Sequence, residues 1–214
     1  MLRWTARTSC FLALMLASNA VLAQTEFSGE IVDLQKPGTL SQAKMYFAKD
    51  KVRIEPQDSG PRGGGAVIIN LATQTTTVLM AQQHMYMETP AQAQGVSYGG
   101  ALNYAGAFFQ AGDVENACGD WQKMGRNNQN STCHKVGNET VNGRSTVKYE
   151  ATNANGDVSH FWLDPKLRFP VKWQGKNSDG ELRNIQEGTQ PASLFEIPPG
   201  FNKMDMGGMM QQPH

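Results

Sequence analysis

Alternating apolar and polar positions run through most of the chain and predict β-strands. Residues 65–90 show this pattern most fully, with the sequence GAVIINLATQTTTVLMAQQHMYMETP. Ala66–Asn70, Thr75–Met80 and His84–Glu88 are rich in β-branched, aromatic and methionine residues, and short polar turns separate them. This composition, with such short connections, favours a meander of three antiparallel strands.

The same two-residue period recurs on both sides of the meander. Further candidate strands are Gln24–Leu34, Ala43–Ala48, Lys51–Glu55, Cys133–Val141, Ser145–Ala151, Asp157–Leu163, Pro170–Gln174 and Glu181–Glu187. Lys49-Asp50 and Asn142-Gly143 are hairpin turns between them. The sequence therefore predicts a mainly β fold of about ten strands, as a curved antiparallel sheet or half-barrel, because a sheet of that size curls or closes.

A segment rich in Ala, Gly and Gln interrupts the β pattern after residue 89. Leu102, Ala105, Phe108 and Phe109 recur at spacings of three and four residues, which predicts one short helix over Ala101–Gln110. Such a helix either covers a groove in the sheet or plugs its core.

The first 23 residues have the pattern of an export signal. Arg3 and Arg7 give a basic start, and the apolar run Cys10–Leu22 is shorter than a transmembrane helix. Small or neutral residues precede Gln24, so cleavage is expected between Ala23 and Gln24. An uncleaved N-terminal anchor is the alternative. No later segment predicts a transmembrane helix, so the mature chain is expected to be soluble in the periplasm.

The remaining chain has a nearly balanced charge. It contains 17 basic and 19 acidic residues once Arg3 and Arg7 are removed with the signal. The chain therefore has no surplus of basic residues of the kind that indicates a nucleic-acid partner.

Two cysteines remain after the signal, Cys118 and Cys133. In an oxidising compartment a single pair favours a structural disulfide. The alternatives are a redox pair, or metal ligands beside His134.

Three regions follow from these patterns. Residues 1–23 are the cleaved signal, residues 24–201 form a single β-rich domain, and residues 202–214 form a flexible methionine-rich tail. Within the domain, residues 89–133 are a helical and loop insertion that carries the disulfide. The last part of the domain is expected to dock on the sheet through Leu194, Phe195, Ile197 and Phe201.

Several segments, in this order, resemble an uncharacterised family of exported bacterial proteins. They are FSGEIV, AKMYFAKDKVRIE, VLMAQQHMYME, CHKVGNETVNGRSTVKYE, FWLDPKLRFPVK and FEIPPGFNKMDM. That family is similar to the LolA/LolB-like superfamily of periplasmic lipoprotein carriers. The resemblance implies a half-barrel with helices across its mouth and an apolar cavity for acyl chains. The carriers' lipid-gating arginine matches no single residue, although Arg53 lies on a comparable early strand.

Candidate ligand contacts follow from the meander and the predicted helix. Strand alternation places Met85 and Met87 on one face and His84 and Tyr86 on the other. With Met80, these thioethers suit either Cu(I) or an adaptable apolar wall, and the wall is favoured. The candidate lining for a lipid or a lipoprotein acyl chain is Leu79, Met85, Met87, Leu102, Phe108 and Phe109.

The leading functional hypothesis is a non-enzymatic periplasmic protein that binds or carries a lipid or other apolar ligand. The chain has no GxSxG or HExxH motif, and its sequence indicates no catalytic residue and no cofactor. One alternative is a copper-binding protein, because methionines one or two residues apart suit Cu(I). Its candidate ligands are Met204, Met206, Met209, Met210 and His214. The other alternative is an envelope interaction module that binds no small ligand.

Overall fold

The computed structural model describes residues 25–35, 42–56, 65–90, 112–119, 131–176 and 178–204. Within these ranges it contains twelve strands: β1 (Phe27–Asp33), β2 (Gln42–Ala48), β3 (Lys51–Pro56), β4 (Gly65–Asn70), β5 (Thr75–Met80), β6 (Met85–Pro90), β7 (Thr132–Val141), β8 (Arg144–Thr152), β9 (Val158–Asp164), β10 (Phe169–Gly175), β11 (Ser178–Glu187) and β12 (Asn202–Lys203). Single 3₁₀ turns lie at Ala81–Gln83, Val114–Asn116 and Ala192–Phe195. The helix predicted over Ala101–Gln110 lies outside the described residues.

All twelve strands form one sheet, in the order β12-β6-β5-β4-β3-β2-β1-β11-β10-β9-β8-β7. Most neighbours are consecutive in the chain and antiparallel, as expected where tight turns connect them. Asn142 and Gly143, both at positive φ, form one such turn between β7 and β8. The long-range β1–β11 pairing joins the two halves of the sheet. The prediction of a mainly β, antiparallel half-barrel is confirmed.

A contact between distant strands shows which face of the sheet is concave. Phe47 on β2 and Phe169 on β10 have ring centroids 5.4 Å apart, and both contact Phe27 on β1. In the sheet, β2 and β10 are three strand spacings apart, which is about 14 Å when flat. The sheet must therefore curl towards these rings, and we call their face the concave face.

The centre of the concave face is filled by the protein's own side chains. Phe27, Phe47 and Phe169 are 0 % exposed. They belong to a continuous cluster that also contains Ile31, Met45, Val52, Ile54, Val67, Ile69, Val171, Trp173 and Leu182. A filled centre leaves room for a ligand only towards the ends of the sheet.

Gly180 allows one close approach within this core. A Cβ atom at this position would lie 2.4 Å from the ring of Trp173, which stands directly opposite on β10. The sequence Ser178-Asp179-Gly180 predicts a turn, but these residues begin β11 and pair with β10, where the missing side chain of Gly180 leaves room for the indole.

The C-terminal strap, residues 191–204, covers the convex face of the β3–β6 half. Phe195, with Leu194 and Phe201, packs against Ala66, Ile68 and Leu79. The predicted docking of Leu194, Phe195 and Phe201 is therefore confirmed. It is wrong for Ile197, which is 36 % exposed.

The end of the strap is a short edge strand. β12 pairs in parallel with β6, with Asn202 beside Met85 and Lys203 beside Tyr86. Lys203 also forms a salt bridge with Glu88. These two residues, which the sequence assigned to the tail, satisfy part of the hydrogen-bonding edge that β6 would otherwise expose.

Cys118 and Cys133 form a disulfide, as predicted, with their Cα atoms 5.5 Å apart. It ties residues 112–119 to β7, next to a small second core. There the hydroxyl of Tyr149 donates to the carbonyl of Val114 (2.6 Å) and accepts from the amide of Ala117 (3.4 Å). A bridge that closes a loop of this length contributes about 3 kcal/mol in the chain-entropy model.

Candidate ligand-binding face

The strand register places Met85 and Met87 on the concave face. Met87 stands opposite Val78, and Val78 stands opposite Val67, a member of the concave core. Met80 pairs directly with Met85 and shares this face. We call Met80, Met85 and Met87 the methionine wing.

Leu79 lies on the opposite, convex face. It pairs with Ala66 and Tyr86 and packs beneath Phe195 of the strap. The register therefore separates Leu79 from Met85 and Met87, although the sequence grouped the three as one lining.

The remaining candidate residues are not all within the described ranges. Outside them lie Leu102, Phe108, Phe109, Met206, Met209, Met210, His214, Ala23 and Gln24. Met204 is described, at the end of the strap. The lining that the structure does assemble is the methionine wing.

Burial changes along the concave face. The central side chains of β1, β2 and β3 are fully covered, whereas Met80, Met85 and Met87 are half-buried. Methionine side chains are flexible and polarizable, so they adapt to irregular partners. The wing is thus apolar, partly accessible and deformable.

Met204 extends the methionine wing just beyond the end of β12. The backbone amide of Met204 donates to the carbonyl of Tyr86 at 2.8 Å. The backbone amide of Asn202 donates to the carbonyl of His84, also at 2.8 Å. Continuing the β12–β6 register by one residue sets Met204 beside Met87, on the face opposite to that of Lys203. Sequence reasoning did not connect Met204 with the meander, because only the parallel pairing of β12 brings them together.

Arg53 has a structural role on the convex face. Its guanidinium donates to the carbonyl of Leu194 (2.8 Å) and to the carboxylate of Glu55 (2.7 Å). Arg53 also stands opposite Ile68, which packs beneath the strap. It therefore holds the strap and does not line the concave face, so the comparison with a lipid-gating arginine does not apply to its position.

A charged row covers the convex face of β7–β10. The indole of Trp162 lies between the ammonium groups of Lys148 (4.9 Å) and Lys172 (4.7 Å), and its N–H donates to Glu139 at 2.7 Å. Hydrogen bonds from Trp162 and Lys148 hold the pKa of Glu139 below its ordinary value. Each charge here already has a partner within the row, which indicates a structural network.

A polar cleft of about 400 Å³ lies beside the β7–β8 turn. Its walls are Asn142, Arg144, Leu182, Arg183, Asn184 and Ile185. Both of its cations are paired with carboxylates: Arg144 with Asp164 and Glu187, and Arg183 with Glu181. The cleft is therefore a weak candidate for an anion site.

In the described part of the chain, no group of three or more His, Cys, Asp and Glu side chains is placed to hold a metal ion. No helix in those ranges is long and apolar enough to cross a membrane.

No protein-family model matches the chain, and no curated protein matches it in sequence. Its fold is similar to that of an uncharacterized conserved protein from Thermus thermophilus, with 9 % identity, a TM-score of 0.51, and coverage of 85 % of this chain and 90 % of that one. The structure of the Pseudomonas aeruginosa MucA/MucB complex matches with 15 % identity, a TM-score of 0.47, and coverage of 80 % and 56 %.

A LolA superfamily protein from Nitrosomonas europaea also matches, with 9 % identity, a TM-score of 0.32, and coverage of 81 % and 89 %. At these identities the likeness concerns the fold alone.

Proposed function

We propose that this protein is a non-enzymatic periplasmic binding protein that holds an acyl chain of a lipid or lipoprotein on its concave face. The observation that carries the proposal is the change in burial along that face. Phe27 and Phe47 fill its centre, whereas Met80, Met85 and Met87 remain half-buried at the β5–β6 end. Half-covered apolar side chains on a curved face offer contact area to an apolar ligand.

The chemistry of the wing favours a hydrocarbon over a polar ligand. The charged residues of this end, Glu88 and Lys203, pair with each other on the convex side. Each methylene group that a ligand buries contributes about 0.8 kcal/mol, so affinity grows with the length of chain covered. Thioether side chains can follow a flexible chain without a fixed pocket shape.

Two features support an extracytoplasmic setting for this ligand. Residues 1–23 have the sequence pattern of an export signal, and the Cys118–Cys133 disulfide fits an oxidising compartment. Carriage of an acyl chain through the envelope, without covalent chemistry, is the activity most consistent with them.

Native mass spectrometry of protein purified from the periplasm tests this proposal. Wild-type protein is expected to retain a reproducible added mass of lipid. In Met87→Glu, a carboxylate against the acyl chain should reduce the lipid-bound fraction at least about tenfold, because desolvating an unpaired charge costs several kcal/mol. The matched control is Val136→Glu, at an apolar side chain that is 50 % exposed on β7 and should keep wild-type occupancy.

A bare wild-type mass from protein that stays folded in the spectrometer contradicts the proposal and favours an interaction module without a small ligand. Equal lipid occupancy in wild type and Met87→Glu also contradicts it, because the ligand would then lie elsewhere.

A further inference from the structure

The described residues bring four methionines together at one edge of the concave face. Met80 is directly opposite Met85, and the register of β12 sets Met204 beside Met87. Directly opposed residues on one face have Cβ atoms about 5 Å apart, and neighbouring strands have the same spacing. β5 and β6, together with the residue that follows β12, thus present thioethers to one area of the concave face.

The placement of methionine along the sequence is far from uniform. Seven of the eleven methionines lie either between residues 80 and 87 or between residues 204 and 210. The pairing of β12 with β6 brings Met204, the first methionine of the second region, to the sheet edge beside the first region. An adaptable apolar wall accounts for methionine as a lining, but the same thioethers are also ligands that suit Cu(I).

The described surroundings of these sulfur atoms are poor in hard ligands. Glu88 and Lys203 point to the convex face, where they form their salt bridge. His84 is also turned away, since its ring packs on Phe201 with centroids 5.7 Å apart. Among the described residues no carboxylate or imidazole faces this area, although Asn202 pairs with Met85, and thioethers select a soft monovalent ion over Zn²⁺, Mg²⁺ or Ca²⁺.

We propose that Met80, Met85, Met87 and Met204 form a Cu(I)-binding site at the β5–β6–β12 edge. Methionine has three rotatable side-chain bonds, so sulfur atoms from directly paired positions, whose Cβ atoms lie about 5 Å apart, can converge on one ion. The outer two, Met80 and Met204, start about 10 Å apart, one on each side of β6. All four side chains are half-buried, which gives an ion access from solvent. Binding is simple coordination and requires no change in the oxidation state of copper.

This inference goes beyond acyl-chain binding and can be separated from it. Leucine keeps the apolar volume of methionine but has no sulfur. Changing the wing to leucine therefore removes the Cu(I) ligands while preserving a hydrocarbon surface. Lipid occupancy and copper affinity should respond differently to the same variant.

The test is an anaerobic titration of the lipid-free, full-length chain with Cu(I) against the chromogenic chelator bicinchoninate. Wild type is expected to withdraw one Cu(I) ion from the chelator. The triple variant Met80→Leu/Met85→Leu/Met87→Leu should bind at least about tenfold more weakly, because only Met204 of the site remains. The matched control is Met45→Leu in the filled centre of the concave face, which should bind as wild type does.

Two results overturn the site. One is a wild-type chain that does not compete for Cu(I). The other is a triple variant with wild-type affinity, which would place the copper on other residues of the chain. Met204→Leu alone, at the edge of the sheet, provides a second variant if the triple variant fails to fold, and it should also weaken binding.

X-ray absorption at the copper edge of the wild-type complex gives an independent readout. Coordination by sulfur alone is expected, since no imidazole among the described residues faces the cluster. A nitrogen ligand in the first coordination shell would contradict the assignment. If the triple variant loses copper but keeps lipid in native mass spectra, the copper site stands whatever the identity of the lipid.

Discussion

Phe169→Ala is expected to lower the free energy of unfolding by about 3–5 kcal/mol, the usual cost of removing a fully buried phenylalanine. Phe169 is 0 % exposed and contacts both Phe27 and Phe47. The cavity cannot collapse easily, because its walls belong to a continuous sheet. Urea denaturation followed by tryptophan fluorescence measures the change. Val136→Ala, at a side chain exposed to solvent, is the control and should change stability by less than about 0.5 kcal/mol.

The same position tests the curvature of the sheet. In a double-mutant cycle, Phe169→Ala and Phe47→Ala should show a coupling energy of about 0.5–3 kcal/mol, because the two rings touch. In a flat sheet β2 and β10 would be too far apart for contact. Additivity within about 0.3–0.5 kcal/mol would therefore contradict the concave geometry.

Arg144→Met is expected to destabilise the protein by about 3 kcal/mol, because it leaves a buried carboxylate without its cation. The side chain of Asp164 is 3 % exposed and bonds the Arg144 guanidinium. Its other oxygen accepts from the backbone amides of Lys166 and Leu167, at 2.8 and 3.0 Å, and so fixes the β9–β10 turn. Urea denaturation at neutral pH measures the loss.

Two further variants make this prediction specific. Lys176→Met is the matched control, since Lys176 is 67 % exposed and its partner Asp157 is 29 % exposed, and pairs at the surface contribute little. Asp164→Asn added to Arg144→Met removes the unpaired charge but keeps an oxygen for the turn amides, so it should restore part of the stability. Equal losses in Arg144→Met and Lys176→Met would show that the Arg144–Asp164 pair is not effectively buried.

The pH dependence of Arg144→Met should follow from Glu187. Hydrogen bonds from Lys166 and Arg144 lower the pKa of Glu187 below its ordinary value. A carboxyl pKa that is lower in the folded state than in the unfolded state stabilises the fold at pH values above the unfolded-state pKa, which is about 4.3. This contribution is lost as the pH falls through the folded-state pKa. The Arg144→Met variant lacks one of the two hydrogen-bond donors to Glu187, so it has less of this pH-dependent stabilisation to lose. Its free energy of unfolding should therefore fall less than that of wild type below about pH 4.3.

Local sequence patterns predicted the strands well because strand and turn chemistry is local. Asn142-Gly143 predicted its hairpin through the backbone conformations that these residues favour, and the alternation at His84–Met87 correctly separated the two faces of β6. Ser178–Gly180 is the exception. These residues pair with β10, and Gly180 lies against Trp173, a contact that no local pattern contains.

The sequence could not decide which face of β4 and β5 is concave. Both strands carry apolar residues in succession, as at Val78-Leu79, so periodicity gives no preferred side. Both faces are in fact buried, one by the central core and the other by the C-terminal strap. This second burial explains why Leu79 was grouped with Met87 although it lies beneath Phe195.

The candidate site depends on pairings between distant parts of the chain. The curvature follows from the β1–β11 pairing, and Met204 reaches the wing only through β12 and β6. Neither pairing leaves a signal in short windows of sequence. A polar, methionine-rich C-terminus reads as a tail until its hydrogen bonds to His84 and Tyr86 are known.

Photo-crosslinking with a diazirine-bearing fatty acid, followed by peptide mapping, tests the central claim that an apolar ligand lies on the concave face. Crosslinks are expected on Met80, Met85 and Met87, and an excess of unlabelled fatty acid should abolish them. Labels confined to the convex residues Leu79 and Tyr86 or to the polar cleft at Arg144, or no competed label at all, would contradict it.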